Sequence, residues 1–238
     1  MKQFYRLVDP FYEKEGQEYN TMDTELSPRM QRSIDLSSLF NIVFCFWQKT
    51  GVQLSTACDA MLNFRNYLEV VQTIEEDGGE FVPTSLFNHH EAIQFVPFRD
   101  LKVLMLSYYD LYNEKHRSLE IDDLPFIWEF LWEVVRKNLF EAKNSRFLGL
   151  FLYDNLDQTK AFQNKINSVP PQNIIVTVRI ENELNLERYD AGWLDALSVD
   201  CTFNDYFESC KNYWSGKPSV NPNWEYIYIG KYKIEGRM

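Results

Sequence analysis

Two charged side chains stand where a short strand could aim them at a ligand. Arg6 lies inside Phe4-Tyr5-Arg6-Leu7-Val8, a strand candidate that Asp9-Pro10 ends. It falls on the face opposite Tyr5 and Leu7. There it is either a surface arginine held by an acidic neighbour or an arginine directed into a cleft, where its planar guanidinium matches phosphate geometry. Glu225 heads the alternating run Tyr226-Ile227-Tyr228-Ile229, which Gly230 closes. As a strand-start residue it has a plain alternative, a place on the solvent side.

Other chemistry-bearing groups offer less. Ser85 has His89 and His90 nearby in sequence, but no Gly-x-Ser-x-Gly elbow surrounds it. Cys45, Cys58, Cys201 and Cys210 form no Cys-x-x-Cys pair, and the three histidines are too few for a zinc cluster, so no metal site is expected. The cysteines read as buried apolar residues in a reducing, cytoplasmic setting. Asp190, Asp195 and Asp200 are too widely spaced for a carboxylate site and read as capping or solvated residues.

Composition narrows the classes. The chain has 238 residues, enough for one large domain or one domain with an insertion. Its net charge of -11 and lack of a basic stripe argue against nucleic acid as a partner. Aromatic content of 16% suits a core, a ligand cleft or a partner surface. No positive region followed by an apolar core opens the chain, and the apolar stretch Leu39–Trp47 is far shorter than a bilayer span. Neither secretion nor membrane insertion is expected.

The elements that must position Arg6 and Glu225 follow from pattern. Lys14–Ser33 is polar and aperiodic, a long loop. Asp35–Trp47 is a helix, with a strand over Ile42–Phe46 as the alternative. Ser55–Glu75 carries Ala57, Met61, Phe64, Leu68 and Val71 at helical spacing and ends at Gly78-Gly79. Leu101–Asn113 is a further helix. The strongest begins at Asp122 or Asp123, with Pro125 in its first turn. Trp128 and Trp132 widen its apolar face, which is either covered or a homodimer surface; Glu129, Glu133, Arg136 and Lys137 mark its wetter side.

Leu148–Tyr153 reads as a buried strand, and Asp157 as the cap of a short helix, Gln158–Ile166. Val169-Pro170-Pro171 ends that unit, and Asn173–Glu181 is the clearest strand. Leu184–Asp200 is mixed, with a turn of helix at Trp193-Leu194. Thr202 or Asn204 caps a helix through Tyr213. The sum is an α+β fold over one domain, residues 1–238, with a helical insertion at about 34–141.

The order of these motifs resembles the ADP-ribosyltransferase-like superfamily, and its bacterial members in particular. Tyr5-Arg6 resembles the first-strand motif. Ser145-Arg146-Phe147, Gly149-Leu150-Phe151 and Ala161 resemble the central strand-helix motif. Tyr213-Trp214-Ser215-Gly216 and Glu225 to Ile229 resemble the final segment. The resemblance implies a split, twisted β core that cradles nicotinamide adenine dinucleotide (NAD). It assigns Glu225 as the catalytic carboxylate and Arg6 as the residue positioning the cofactor phosphate or ribose. Tyr5, Ser145, Phe151 and Tyr153 join it as cofactor contacts.

The implied activity is ADP-ribosyl transfer to a protein or small-molecule acceptor, or NAD glycohydrolysis. A carboxylate there favours the positive charge that develops on the ribose as nicotinamide leaves. Two departures matter. Gly149 stands where the arginine-serine-glutamate pattern has serine, and Asn223 stands two residues before Glu225 in place of an acid or amide of glutamate type. The alternative implied is a fold relative without catalysis that binds a nucleotide or a protein.

Overall fold

The computed structural model describes residues 3–10, 13–23, 28–87, 95–115, 119–166 and 173–238. Within them the chain mixes helix and strand as an α+β protein with small antiparallel sheets. It opens with β1 (Phe4–Val8) and β2 (Glu18–Asn20), then α1 (Pro28–Asp35) and α2 (Ser37–Thr50). Part of the expected loop over Lys14–Ser33 is therefore ordered into elements, β2 and the start of α1, while residues 24–27 lie outside the described residues. β2 escapes a pattern reading because three residues show no period, and its pairing comes from a distant strand. At Ile42–Phe46 the helix wins. Leu39, Phe40, Val43, Phe46 and Trp47 recur at helical spacing on one buried face, and Gly51, in the left-handed region at φ 69°, ends it.

The single helix expected over Ser55–Glu75 is two, α3 (Leu54–Leu62) and α4 (Phe64–Glu76). The break is at Asn63, whose side-chain amide donates to the Asp59 carbonyl (3.1 Å) and carboxylate (2.8 Å). Such local bonds compete with helix continuation. Next come β3 (Phe81–Pro83), β4 (Phe95–Pro97), α5 (Phe98–Lys115) and α6 (Leu124–Leu139). Then follow β5 (Leu150–Leu152), α7 (Leu156–Ile166), β6 (Ile174–Ile180), β7 (Leu186–Asp190) and α8 (Gly192–Asp195). The chain closes with α9 (Phe203–Trp214), β8 (Trp224–Tyr228) and β9 (Lys231–Arg237).

Two caps differ in kind. The cap of α7 is Asn155 rather than Asp157, because its Oδ1 accepts from the backbone N–H of Asp157 (2.9 Å) and Gln158 (3.1 Å). At α9, Thr202 caps as expected: the Asp205 N–H donates to its Oγ1 at 3.3 Å, and the Thr202 N–H donates to Asp205 Oδ2 at 3.1 Å. His89, His90 and Val169-Pro170-Pro171 lie outside the described residues.

The chain divides into two compact units. One comprises residues 1–27, 133–196 and 210–238; the other, 28–132 and 197–209. The second is mainly helical, with the β3–β4 ribbon, and holds most of the stretch expected as a helical insertion. Its core includes Phe40, Phe46, Trp47, Met61, Tyr108, Leu131 and Tyr206. Trp128 and Trp132 stack on each other at 6.2 Å and are each half-buried.

The first unit holds Arg6 and Glu225. A four-stranded antiparallel sheet runs in the order β1-β6-β9-β2, and a three-stranded one in the order β5-β8-β7. Tyr5 and Tyr153 join them by exchanging backbone N–H···O bonds of 2.7 and 2.9 Å. Phe4 and Val8 of β1, Leu150 and Leu152 of β5, Val176 and Val178 of β6, Tyr226 and Tyr228 of β8, and Tyr232 and Ile234 of β9 form one core. Phe4 meets Tyr226 edge-on at 5.4 Å across it. Side chains alternate along a strand, so this core fixes which way every other residue of β1 and β8 points.

Candidate functional site

Alternation separates the two charged residues that opened the sequence reading. Arg6 shares its strand face with Phe4 and Val8, on the side of the common core. Glu225 and Ile227 alternate with Tyr226 and Tyr228, and so lie on the reverse face of the three-stranded sheet. No hydrogen bond or ion pair joins Arg6 to Glu225 among the described residues.

Glu225 is buried, with 4% of its surface exposed, which removes the solvent-side alternative. Arg146 Nη1 forms an ion pair with Glu225 Oε1, and the Tyr213 hydroxyl donates to the same oxygen at 2.6 Å. Arg146 Nη1 also donates to the Tyr213 oxygen at 2.6 Å, closing a three-membered network. The guanidinium lies over the Phe151 ring at 4.6 Å and the Tyr213 ring at 5.4 Å. Tyr189, directly opposite Glu225 in β7, stacks on Tyr213 at 5.0 Å. Burial pushes the Tyr213 hydroxyl well above the usual tyrosine value, with the Glu225 charge adding to the rise against the opposing pull of Arg146.

What aims Glu225 is the loop before β8. Asp190 is wholly buried and accepts from the backbone N–H of Gly192 (2.8 Å), Asn223 (2.7 Å) and Ser219. Burial alone would raise its pKa, but these backbone donors outweigh burial and hold the carboxyl below the usual carboxylate range. The expectation of a solvated Asp190 is thus overturned, while its bond to the Gly192 N–H at the start of α8 is a capping contact; the same carboxylate ties down the loop before β8.

A second buried network stands on α6. Glu133 and Arg136, expected on the wetter side together with Glu129, are all buried; only Lys137 is exposed. Arg136 donates to Glu133 Oε1 through Nε (2.9 Å) and Nη2 (2.7 Å), and through Nη1 to the carbonyls of Glu141 (3.0 Å) and Lys143 (2.8 Å). The Arg136 charge is tolerated because it pairs with Glu133 and donates to carbonyls in the turn that follows the helix. Ser145, one of the expected cofactor contacts, donates to Glu133 Oε1 at 2.9 Å.

The remaining expected contacts are placed as follows. Arg6 Nη1 donates to the Tyr232 hydroxyl at 3.0 Å, and Nη2 pairs with Glu13 Oε1 at 2.8 Å. Tyr5 serves the strand bridge through its backbone. Tyr153 is buried against Phe162, ring centres 5.6 Å apart, and Phe151 supports Arg146. The six expected residues are thus spread over several settings. The sequence reading held Arg146 within the motif Ser145-Arg146-Phe147 but missed it as the partner of Glu225.

Gly149 is closed off. A Cβ there would stand 2.2 Å from Ile227 Cγ2 and 2.8 Å from the Ser145 carbonyl oxygen. Gly149→Ala is expected to lower unfolding free energy by about 1–3 kcal/mol through overpacking, measured by urea denaturation. An unchanged midpoint would show that the Ile227 side can yield.

Among the described residues no group of histidine, cysteine and carboxylate side chains is able to hold a metal ion, and no helix is long and apolar enough to cross a membrane. All four cysteines are free, and burial pushes the Cys58 and Cys201 thiols up to about 12.

These features define an α+β protein in which one unit carries two joined antiparallel sheets with an ion-paired carboxylate behind the smaller one. Residues 63–236 match a family described as a protein of unknown function (DUF2441). The match spans more than half of the chain, which therefore belongs to that family. No curated protein matches it.

Proposed function

We propose that this chain is a relative of the ADP-ribosyltransferase-like superfamily that binds a nucleotide through the Arg6 side of its β core, with Glu225 serving the fold instead of chemistry. The observation that carries this reading is the buried network of Glu225 with Arg146 and Tyr213. A carboxylate that favours a developing ribose cation must direct its charge at the substrate. Here the charge is answered by a buried guanidinium, on the sheet face away from Arg6. The crowding at Gly149 points the same way, since no serine fits without displacement. Arg6 keeps the nucleotide part of the reading, because its guanidinium is part-exposed on the core side of β1.

The test is a titration of intact NAD, with nicotinamide release followed in parallel. Saturable binding is expected for the wild-type chain, weakened about tenfold in Arg6→Gln, the loss of one charge-assisted hydrogen bond. Nicotinamide release is expected to stay at the buffer rate. Release that Glu225→Gln abolishes, in a variant that still folds, would restore the transferase or glycohydrolase reading. Absence of any binding would remove the nucleotide reading.

A further inference from the structure

Arg6 does not face an empty cleft. Its guanidinium, with 22% of the side chain exposed, is occupied by the chain's own Glu13. Nη2 meets Glu13 Oε1 at 2.8 Å, Nη1 donates to the Tyr232 hydroxyl at 3.0 Å, and that hydroxyl donates to the same Glu13 oxygen at 3.3 Å. The guanidinium also stands 5.6 Å from the centre of the Tyr232 ring, which Tyr19 of β2 stacks against at 5.5 Å.

The other carboxylate oxygen of Glu13 is different. Oε2 is buried and has no hydrogen-bond partner among the described residues. A buried carboxylate oxygen without a donor is costly, so the arginine is matched by an under-compensated ligand. Consistent with this, burial raises the Glu13 pKa above the ordinary glutamate value, against the opposing effects of Arg6 and the Tyr232 hydroxyl. Among the described residues, the titratable groups facing Glu13 are Arg6 from β1 and Tyr232 from β9.

We propose that Glu13 is an internal stand-in for an external anion, and that a small phosphate-bearing ligand displaces its carboxylate from Arg6 and the Tyr232 hydroxyl. This deepens the nucleotide-binding reading above and rests on it. A phosphate group offers the guanidinium two oxygens in its own plane, where Glu13 offers one. The Glu13 contact then acts as a built-in competitor that sets the threshold for binding. The sign with pH follows: protonating Glu13 removes the competing charge, so anion affinity rises as pH falls through its raised pKa.

The experiment titrates inorganic pyrophosphate into the wild-type chain, Glu13→Gln and Arg6→Gln/Glu13→Gln. At pH 7.5 Glu13→Gln is expected to bind about tenfold more tightly than wild type, and the double variant to lose that gain. The ratio between Glu13→Gln and wild type should shrink as the pH is lowered, a comparison in which protonation of the probe cancels. Sulfate, whose charge is fixed over this range, gives a readout that needs no variant: its affinity for the wild-type chain rises as the pH falls.

Equal pyrophosphate affinity of wild type and Glu13→Gln at pH 7.5 would overturn the proposal. A gain that survives Arg6→Gln would do so as well, and so would a sulfate affinity indifferent to pH. The dinucleotide titration fails separately. NAD binding that is lost in Arg6→Gln but unaffected by Glu13→Gln sinks the competitor and spares the binding reading.

Discussion

Replacing Glu225 by alanine is expected to lower the unfolding free energy by about 3–5 kcal/mol, the cost of leaving a buried charge without its partner. Arg146 and Glu225 are exposed over only 8% and 5% of their side chains, so water cannot take over the lost contact. The Tyr213 hydroxyl would also lose its acceptor. Urea denaturation measures this loss. A loss below about 1 kcal/mol would place the ion pair among surface-like contacts and contradict its role. Replacing Arg146, Tyr213 and Glu225 together by methionine, phenylalanine and leucine should cost much less than the single change. Desolvation of the charges disappears along with their attraction, and apolar residues of similar volume fill the space.

Asp190→Ala is expected to have an effect of similar size, about 3–5 kcal/mol. Three backbone N–H groups lose a charged acceptor within a part-buried loop. Its pH dependence supplies a second readout. The Asp190 carboxyl is held below its ordinary value in the folded state. Its stabilisation is therefore fully present above the unfolded-state value of about 3.9, and fades as pH falls through the lower folded value. Urea unfolding at pH 7 and pH 3 should show the gap between wild type and Asp190→Ala narrowing in acid. A gap that widens in acid would reverse the sign of the coupling.

The β core was legible where pattern and packing agree. The runs around Arg6, Val176 and Ile227 alternate or are β-branched, and each became a strand. β2 and β7 were not legible, since their partners β9 and β8 lie far along the chain and their own residues are mostly polar. Glu225 was legible as a residue of interest but not as a buried one. Its burial depends on Arg146, 79 residues away, a pairing no local pattern encodes. Glu133 and Arg136 show the same limit. At spacing i, i+3 they look like an exposed helical ion pair, and only the carbonyls of Glu141 and Lys143 make them interior.

The resemblance directed attention to Arg6 and Glu225 together. Strand alternation sets them on different sides of the smaller sheet, and so divides one expected site into two settings with separate tasks. Arg6 retains an exposed edge and a replaceable carboxylate partner. Glu225 has a buried guanidinium, a buried phenol and an aromatic cover.

The most direct test of that division is the urea unfolding free energy of the Arg146→Met/Tyr213→Phe/Glu225→Leu variant beside Glu225→Ala. If the network serves the fold, the triple variant stays within about 2 kcal/mol of wild type while the single change loses about 3–5 kcal/mol. A stable Glu225→Ala, with nicotinamide release present in wild type and absent from that variant, would contradict the account and return Glu225 to chemistry.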